Sequence, residues 1–248
     1  MPKYLMGVDI GTSGTKSIIA DENGRVIASR TEEYPLYTPK PGWAEQRPED
    51  WWDAVVKSVR AIIAKAALPA NEIAGLSLSG QMHGLVALDK DMQVIRPAML
   101  WCDQRTQKQC DWITEKAGGL DELVKLTNNR MLTGYTGGKI LWLRDEEPEN
   151  FARMKVFINP KDYIRFKLTG EIGTDMSDAS GTGFFDVKSR RWSDRLIEIA
   201  GLPKSIFPPC MESVDLAGHV TAEVAALLED LFHIPTVALK EFLAVTLV

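Results

Sequence analysis

Residues 4–34 read YLMGVDIGTSGTKSIIADENGRVIASRTEEY, and this stretch sets the expected fold. Residues 4–10 are apolar enough for a buried strand and residues 15–20 supply a second, with the turn Gly11-Thr12-Ser13-Gly14 between them. Asp21, Glu22, Asn23 and Gly24 turn the chain again, and residues 26–34 alternate as a third strand. Three antiparallel strands are expected to open the fold.

Working outward, residues 35–48 hold four of the 13 prolines, which predicts an ordered surface loop rather than a regular element. From Glu49 onward Trp52, Val55, Val56, Val59, Ile62 and Ile63 recur at helical spacing until Leu68-Pro69 stops the pattern. A short apolar strand at 73–79 empties into Gly80-Gln81-Met82-His83-Gly84, strand character resumes at 85–88, and 94–101 carries the chain back. Helices are expected at 104–116, 120–125, 139–146, 161–168, 192–200 and 221–232, with strands at 156–158 and 234–238. The class is α/β with a mixed sheet flanked by helices, in one domain whose chief embellishment is 106–136. No period of 20 to 50 residues repeats, which sets solenoids and propellers aside.

The 248 residues are 45% hydrophobic and 25% charged, a composition of globular proteins and not of disordered ones. Twenty-nine Lys and Arg stand against 34 Asp and Glu, so a broad basic surface for nucleic acid is not expected. Cys102, Cys110 and Cys210 are widely spaced without a C-x-x-C, which points to a reducing, cytoplasmic setting. MPKYLMGVDIG is too short an apolar run for a signal peptide, and no stretch approaches the roughly 20 apolar residues of a membrane helix. The expected protein is soluble, with neither nucleic acid nor membrane as a partner.

Chemistry is concentrated in four segments. Asp9-Ile10-Gly11-Thr12-Ser13-Gly14-Thr15-Lys16 offers a carboxylate at a strand end, two glycines, three hydroxyls and a lysine. Such a turn can let backbone N–H groups, Thr12 and Ser13 hold phosphate oxygens while Asp9 positions a hydrated divalent cation; a plain hairpin of small residues is the alternative. It is not a Walker A loop, because Lys16 follows Thr15 where that motif needs glycine. In Ser79-Gly80-Gln81-Met82-His83-Gly84, Gln81 and His83 can each donate and accept, which suits a polyhydroxylated ligand, or His83 can be a satisfied structural histidine. Trp101-Cys102-Asp103-Gln104-Arg105 can present an indole face to sugar C–H groups with Asp103 and Arg105 on hydroxyls; a core Trp beside a surface Asp103–Arg105 pair is the alternative. Residues 174–183, TDMSDASGTG, either line a cleft or form a turn with a helix cap from Ser177 or Asp178. Residues 75–79 miss the nucleophile elbow by their last position, and His219 and His233 lie too far apart to argue for a metal site.

In order, DIGTSGTK, PGWAEQRPEDWW at 41–52, SGQMHG, PAMLWCDQR at 97–105, NPKDYIRFKLTGE at 159–171 and TDMSDASGT at 174–182 resemble the N-terminal domain of the FGGY carbohydrate kinases over residues 4–238. Within that family, SGQMHG with LWCDQR looks most like the xylulokinases. The resemblance implies an actin-like ATPase, ribonuclease-H-like fold, ATP with Mg2+, and transfer of the γ-phosphoryl group to the 5-hydroxyl of D-xylulose. It implies that Asp9 organises the magnesium, that Thr12, Ser13 and Lys16 face phosphates, and that Gln81, Met82 and His83, with Trp101, Asp103 and Arg105, line the sugar pocket. A homodimer is compatible with it. Other acceptors of the family, gluconate or ribulose, and a sugar-binding module without transfer are the competing readings.

The sequence departs from the family at its end. The strand at 234–238 should run into a glycine-rich turn carrying the general-base aspartate, yet LKEFLAVTLV follows Ala238 and no Gly-Gly-Asp occurs. The expectation is a domain at 1–238 with an atypical tail at 239–248, lacking the general base and the C-terminal nucleotide domain, and inactive as an isolated kinase. The tail is read as a frame-shifted or artificially terminated end, and FLAVTLV as an aggregation site when unpaired.

Overall fold

The computed structural model describes residues 4–68, 72–229 and 244–247. Strands β1 (Tyr4–Ile10), β2 (Gly14–Asp21) and β3 (Val26–Glu33) form as read, each antiparallel to the next. Alternation decides their faces: Met6, Val8 and Ile10 are buried while Leu5 and Asp9 stay exposed. The proline-rich stretch is less superficial than expected, since β4 (Glu45–Gln46) lies inside it and both its residues are buried. Helix α1 (Pro48–Ala66) follows with proline in its first turn and Glu49 and Asp50 at its positive end. The expected Trp52 is partly buried against the core, and Trp51 beside it is fully buried in the stripe that runs Trp51, Val55, Val59 and Ile62 with their neighbours. Strand β5 (Ile73–Gly80) then returns parallel to β1, placing Ile10 beside Gly80.

The middle of the chain forms β6 (Val86–Leu88), β7 (Ala98–Met99), α2 (Gln107–Lys116), α3 (Leu120–Thr127) and α4 (Thr136–Glu146). The chain continues through α5 (Pro148–Arg153), β8 (Val156–Ile158), α6 (Pro160–Thr169), β9 (Thr174–Asp175) and α7 (Met176–Ser180). Last come β10 (Phe185–Asp186), β11 (Arg191–Trp192), α8 (Asp194–Ile199), β12 (Cys210–Met211), β13 (Leu216–His219), α9 (Ala222–Glu229) and β14 (Ala244–Leu247). Several expectations change. Of 94–101 only β7 is strand, and it pairs with β4. Helix α5 had not been read, and α8 begins after Trp192 because Arg191–Trp192 pairs with Phe185–Asp186. Helix α4 starts a turn before Lys139 despite Gly137 and Gly138, since a Cβ on Gly137 would stand 2.6 Å from the Thr182 carbonyl oxygen. Asp175, rather than Ser177 or Asp178, caps α7, its carboxylate accepting from the Asp178 N–H.

The main sheet has the order β13-β14-β5-β1-β2-β3 and is mixed. Its covered face packs on α1, α6 and α9, and each fully buried Ile, Leu or Val there contributes about 1.5–3 kcal/mol. A second buried cluster gathers α2, α3, α4 and α8 around Phe157 and Phe184, so it extends well beyond the expected embellishment at 106–136. The antiparallel pair β6–β8 lies between the two: Val86, Leu88, Val156 and Ile158 point to the first core, Ala87 and Phe157 to the second. The expected strand at 234–238 and residues 239–243 and 248 lie outside the described residues. Backbone of β14, from the tail, is paired on both sides, with β13 and β5, so within the sheet it is not an open edge. Among the described residues no helix is long and apolar enough to cross a membrane.

Candidate functional site

Because β1 and β5 are parallel neighbours, their C-terminal ends open side by side, and the turns after them meet. The Gln81 N–H donates to the Ile10 carbonyl at 2.8 Å, extending the pairing one residue past the strands. Beyond it the side chains close a ring: Thr12 Oγ1 donates to Gln81 Oε1 (3.5 Å), Gln81 Nε2 to Gln46 Oε1 (3.0 Å), and Gln46 Nε2 to the Thr12 carbonyl (2.7 Å). Trp101 Nε1 feeds this ring by donating to Thr12 Oγ1 at 3.0 Å, and its indole is 48% exposed, so it is not the core Trp of the bland alternative. On the far side, Tyr34 hydroxyl donates to the Gly11 carbonyl, and burial pushes its phenol up to about 12.

His83 has φ +68° and is half-buried. Its Nδ1 lies 2.8 Å from the Gly181 carbonyl oxygen, an acceptor only, so Nδ1 carries the proton and Nε2 keeps a lone pair. The ring faces Tyr135 with centroids 4.8 Å apart. Burial lowers the imidazole's pKa, the Gly181 contact raises it and Lys139 lowers it further; the neutral ring is favoured. Lys139, fully buried on α4, donates from Nζ to the carbonyls of Thr133 (3.2 Å), Gly134 (2.5 Å) and Tyr135 (3.1 Å), fixing the loop that presents Tyr135. Burial outweighs the pull of Asp103 and brings Lys139 down to about 7.

Asp103 and Arg105 are 0% and, for the side chain, 1% exposed, so the expected hydroxyl-binding pair does not reach the cleft in this structure. Asp103 accepts from the Ala44 N–H at 2.7 Å and from Arg105 Nη2 at 2.6 Å. The guanidinium also pairs with Glu45 at 2.8 Å and stacks 3.5 Å over Trp43. The reason is geometric: a bidentate pair whose guanidinium lies over the rings of Trp43 and Trp142 is satisfied internally.

Asp9 and Lys16, paired in register across β1 and β2, project from the uncovered face of the sheet. With Ser79 they line a 390 Å³ depression, and neither side chain forms a hydrogen bond or ion pair with another described residue. Ser13 is exposed at the turn, whereas the Thr12 hydroxyl is turned to Gln81 and Trp101, so the expected phosphate set is divided between two sides. Met82 is half-buried beside Gly181.

Beneath the site, Asp162, Asp175 and Asp178 are buried close enough together to hold a cation, and the Lys161 ammonium stands among them at 3.1, 3.2 and 3.3 Å. Burial would lower Lys161, but the three carboxylates raise it overall; burial pushes Asp178 up to about 7 against the pull of Lys161. Asp175 also accepts from the Ser213 hydroxyl. Three residues of the site escaped the sequence reading, Gln46, Tyr135 and Lys139, while Gly181 belongs to the segment 174–183 read as lining a cleft or forming a turn. Only the i, i+4 spacing of Tyr135 and Lys139 carried a local signal, and nothing local tied Gln46 to Thr12 or Gly181 to His83.

Residues 4–240 match the FGGY family of carbohydrate kinases, N-terminal domain. Xylulose kinase of Bacillus subtilis (strain 168) is 44% identical over 224 residues, 90% of this chain and 44% of that protein. Among solved structures, the xylulose kinase from Rhodospirillum rubrum superposes with a TM-score of 0.88 at 28% identity, covering 98% of this chain and 48% of that one. The gluconate kinase from Lactobacillus acidophilus gives 0.86 at 28% identity, covering 98% and 47%. The chain thus spans less than half the length of the curated relatives it matches, and the mixed sheet flanked by helices is the actin-like ATPase architecture of those kinases.

Proposed function

The chain belongs to the FGGY family of carbohydrate kinases, and from that premise we propose that it forms the sugar-binding and phosphate-turn half of a xylulokinase. The reaction would move the γ-phosphoryl group of ATP to the 5-hydroxyl of D-xylulose. The observation that carries this reading is the meeting of turns 11–13 and 81–83 at the ends of adjacent parallel strands, locked by the Thr12–Gln81–Gln46 ring.

His83, with Nδ1 held on the Gly181 carbonyl, offers Nε2 as an acceptor for a sugar hydroxyl, and the neutral ring costs no charge on burial. Trp101 presents an exposed indole face to the sugar's C–H groups while its N–H keeps Thr12 in place. Ser13 and Lys16 supply a hydroxyl and a positive charge to phosphate oxygens. Asp9 fits magnesium, which keeps several waters and takes one or two carboxylates, because its exposed carboxylate has no hydrogen bond or ion pair among the described residues. Bound there, the ion would neutralise charge developing on the transferred phosphoryl group. The rest of the catalytic machinery, including the general base, is assigned to the part of the relatives' length that this chain does not span.

Calorimetric titration of the chain with D-xylulose, D-ribulose and D-gluconate tests the proposal. D-xylulose should bind, and His83→Ala should weaken it at least tenfold, about 1.4 kcal/mol. Preferential gluconate binding would transfer the chain to the second acceptor. Binding of none of the three would refute the reading. Mg·ATP titrated against Asp9→Ala separates the phosphate side from the sugar side.

A further inference from the structure

Gln46 is 0% exposed, yet its carboxamide serves four partners. Nε2 donates to the carbonyls of Thr12 (2.7 Å) and Pro35 (3.3 Å), and Oε1 accepts from Trp51 Nε1 and Gln81 Nε2, both at 3.0 Å. Every hydrogen-bonding position of the amide is used, which is the full capacity of a Gln side chain. The four partners belong to the turn after β1, the proline-rich segment, helix α1 and the turn after β5. Two of these turns carry the residues assigned to phosphate and to sugar.

We propose that Gln46 is the positioning residue that couples those two turns, so that a group bound against one sets the orientation of the other. The ring Thr12 to Gln81 to Gln46 to Thr12 is directional, each member donating to the next. In a buried ring a hydrogen bond polarises its neighbours, and loss of one leaves two polar groups without partners. Gln81 cannot rotate toward a sugar hydroxyl without releasing Gln46 Oε1 or Thr12 Oγ1, and the Thr12 backbone cannot shift toward a phosphate without releasing Gln46 Nε2. Trp101, whose indole N–H rests on Thr12 Oγ1, belongs to the same system through Thr12. The coupling rests on the functional reading above only in what the turns bind.

The test uses the indole N–H signals of the 248-residue chain, which has seven Trp, assigned by Trp→Phe substitution. Trp51 reports directly on Gln46, and Trp101 reports on Thr12 from outside the amide's reach. Gln46→Met keeps the volume and removes the carboxamide. Its expected result is a shift of the Trp101 indole together with amides 11–13 and 81–84, and amide exchange about tenfold faster in both turns, the fold-change of one lost hydrogen bond. Gln46→Glu supplies the conservative rescue: protonated, the carboxyl offers one O–H to Thr12, and ionised it offers none. Both turns should therefore be native-like at pH 5 and perturbed at pH 8, each compared with the wild-type chain at the same pH. That joint, pH-gated recovery is a signature a space-filling residue does not give, and it remains readable if Gln46→Met fails to fold. Adding D-xylulose, which meets turn 81–84 and the Trp101 face directly, should also shift turn 11–13 in the wild-type chain, but leave turn 11–13 unshifted in Gln46→Met. A wild-type position of the Trp101 indole in Gln46→Met, or perturbation of one turn without the other, overturns the coupling. Failure of the wild-type chain to bind D-xylulose overturns the functional reading instead, since the ligand-free comparison decides the coupling by itself.

Discussion

Replacement of Gly181 by alanine is the sharpest perturbation of the proposed sugar side. Gly181 has φ −81° and ψ 0°, so alanine meets no backbone penalty, and any effect comes from its added methyl group. That methyl would overlap the His83 imidazole at Cε1 and stand 2.6 Å from Nδ1, with Met82 Cε at 3.2 Å on the other side. Ordinary carbon contacts need about 3.5–4 Å, so the ring must move by about an ångström or swing away. Either response gives up the 2.8 Å bond to the Gly181 carbonyl, worth about 0.5–1.5 kcal/mol, and the Tyr135 ring contact, worth a similar amount. The imidazole is half-buried and can relax toward the cleft, so the net loss of folding stability should be about 1–3 kcal/mol. Urea unfolding of Gly181→Ala, His83→Ala and the double variant forms the cycle: with His83 removed, Gly181→Ala should cost under about 0.5 kcal/mol. Binding of D-xylulose should fall at least tenfold in the single variant. A cost that survives undiminished in the His83→Ala background, or a single variant that unfolds and binds like the wild type, refutes the reasoning.

Two further predictions concern pH. Lys139 has a folded pKa near 7 against 10.5 unfolded, so between those values the unfolded chain holds more protons and stability rises with pH, by at most about 1.4 kcal/mol per unit. Lys139→Met should flatten urea midpoints measured from pH 7 to 8, before the thiols Cys102, Cys110 and Cys210, which burial raises in the folded state, ionise in the unfolded chain; an unchanged slope counts against a buried lysine poised near neutrality. Asp178 has the opposite sign: its folded pKa near 7 exceeds 3.8, the folded state holds more protons, and stability falls as pH rises from 4 to 7. Asp178→Asn should abolish that fall, and a wild-type profile in the variant would contradict it. Arg105→Lys loses the bidentate pair with Asp103 and the stack on Trp43; a destabilisation of about 3–5 kcal/mol by urea titration is expected, and one under 1 kcal/mol would show that the pair is dispensable.

Local pattern was legible wherever short-range physics chose the conformation. Alternation fixed β1 to β3 and their hairpins, and the 3.6-residue stripe fixed α1, although it passed over Trp51, which is fully buried beside the partly buried Trp52. Breaker residues misled at Gly137 and Gly138, where helix continues because a neighbouring segment needs the space a side chain would fill. Asp103 and Arg105 were read as ligand groups from their polarity, and only packing shows that Arg105 lies over Trp43 and Trp142 while Asp103 is buried against it. The motif order carried the family, as residue types at spaced positions can without any knowledge of contacts.

By itself, then, the sequence determined the α/β class, the opening strands, the first helix and the two polar turns at 11–14 and 80–84, since each depends on neighbours a few residues away. Tertiary structure alone decided that Gln46 joins Thr12 to Gln81 across 34 and 35 residues, and that Gly181 meets His83 across 98. The physical reason is that a side-chain hydrogen bond is satisfied by whatever group the fold brings within about 3 Å, and periodicity holds no record of that partner. Strand pairing of β1 with β5 brings these partners together, and the chemistry of the site follows from that register.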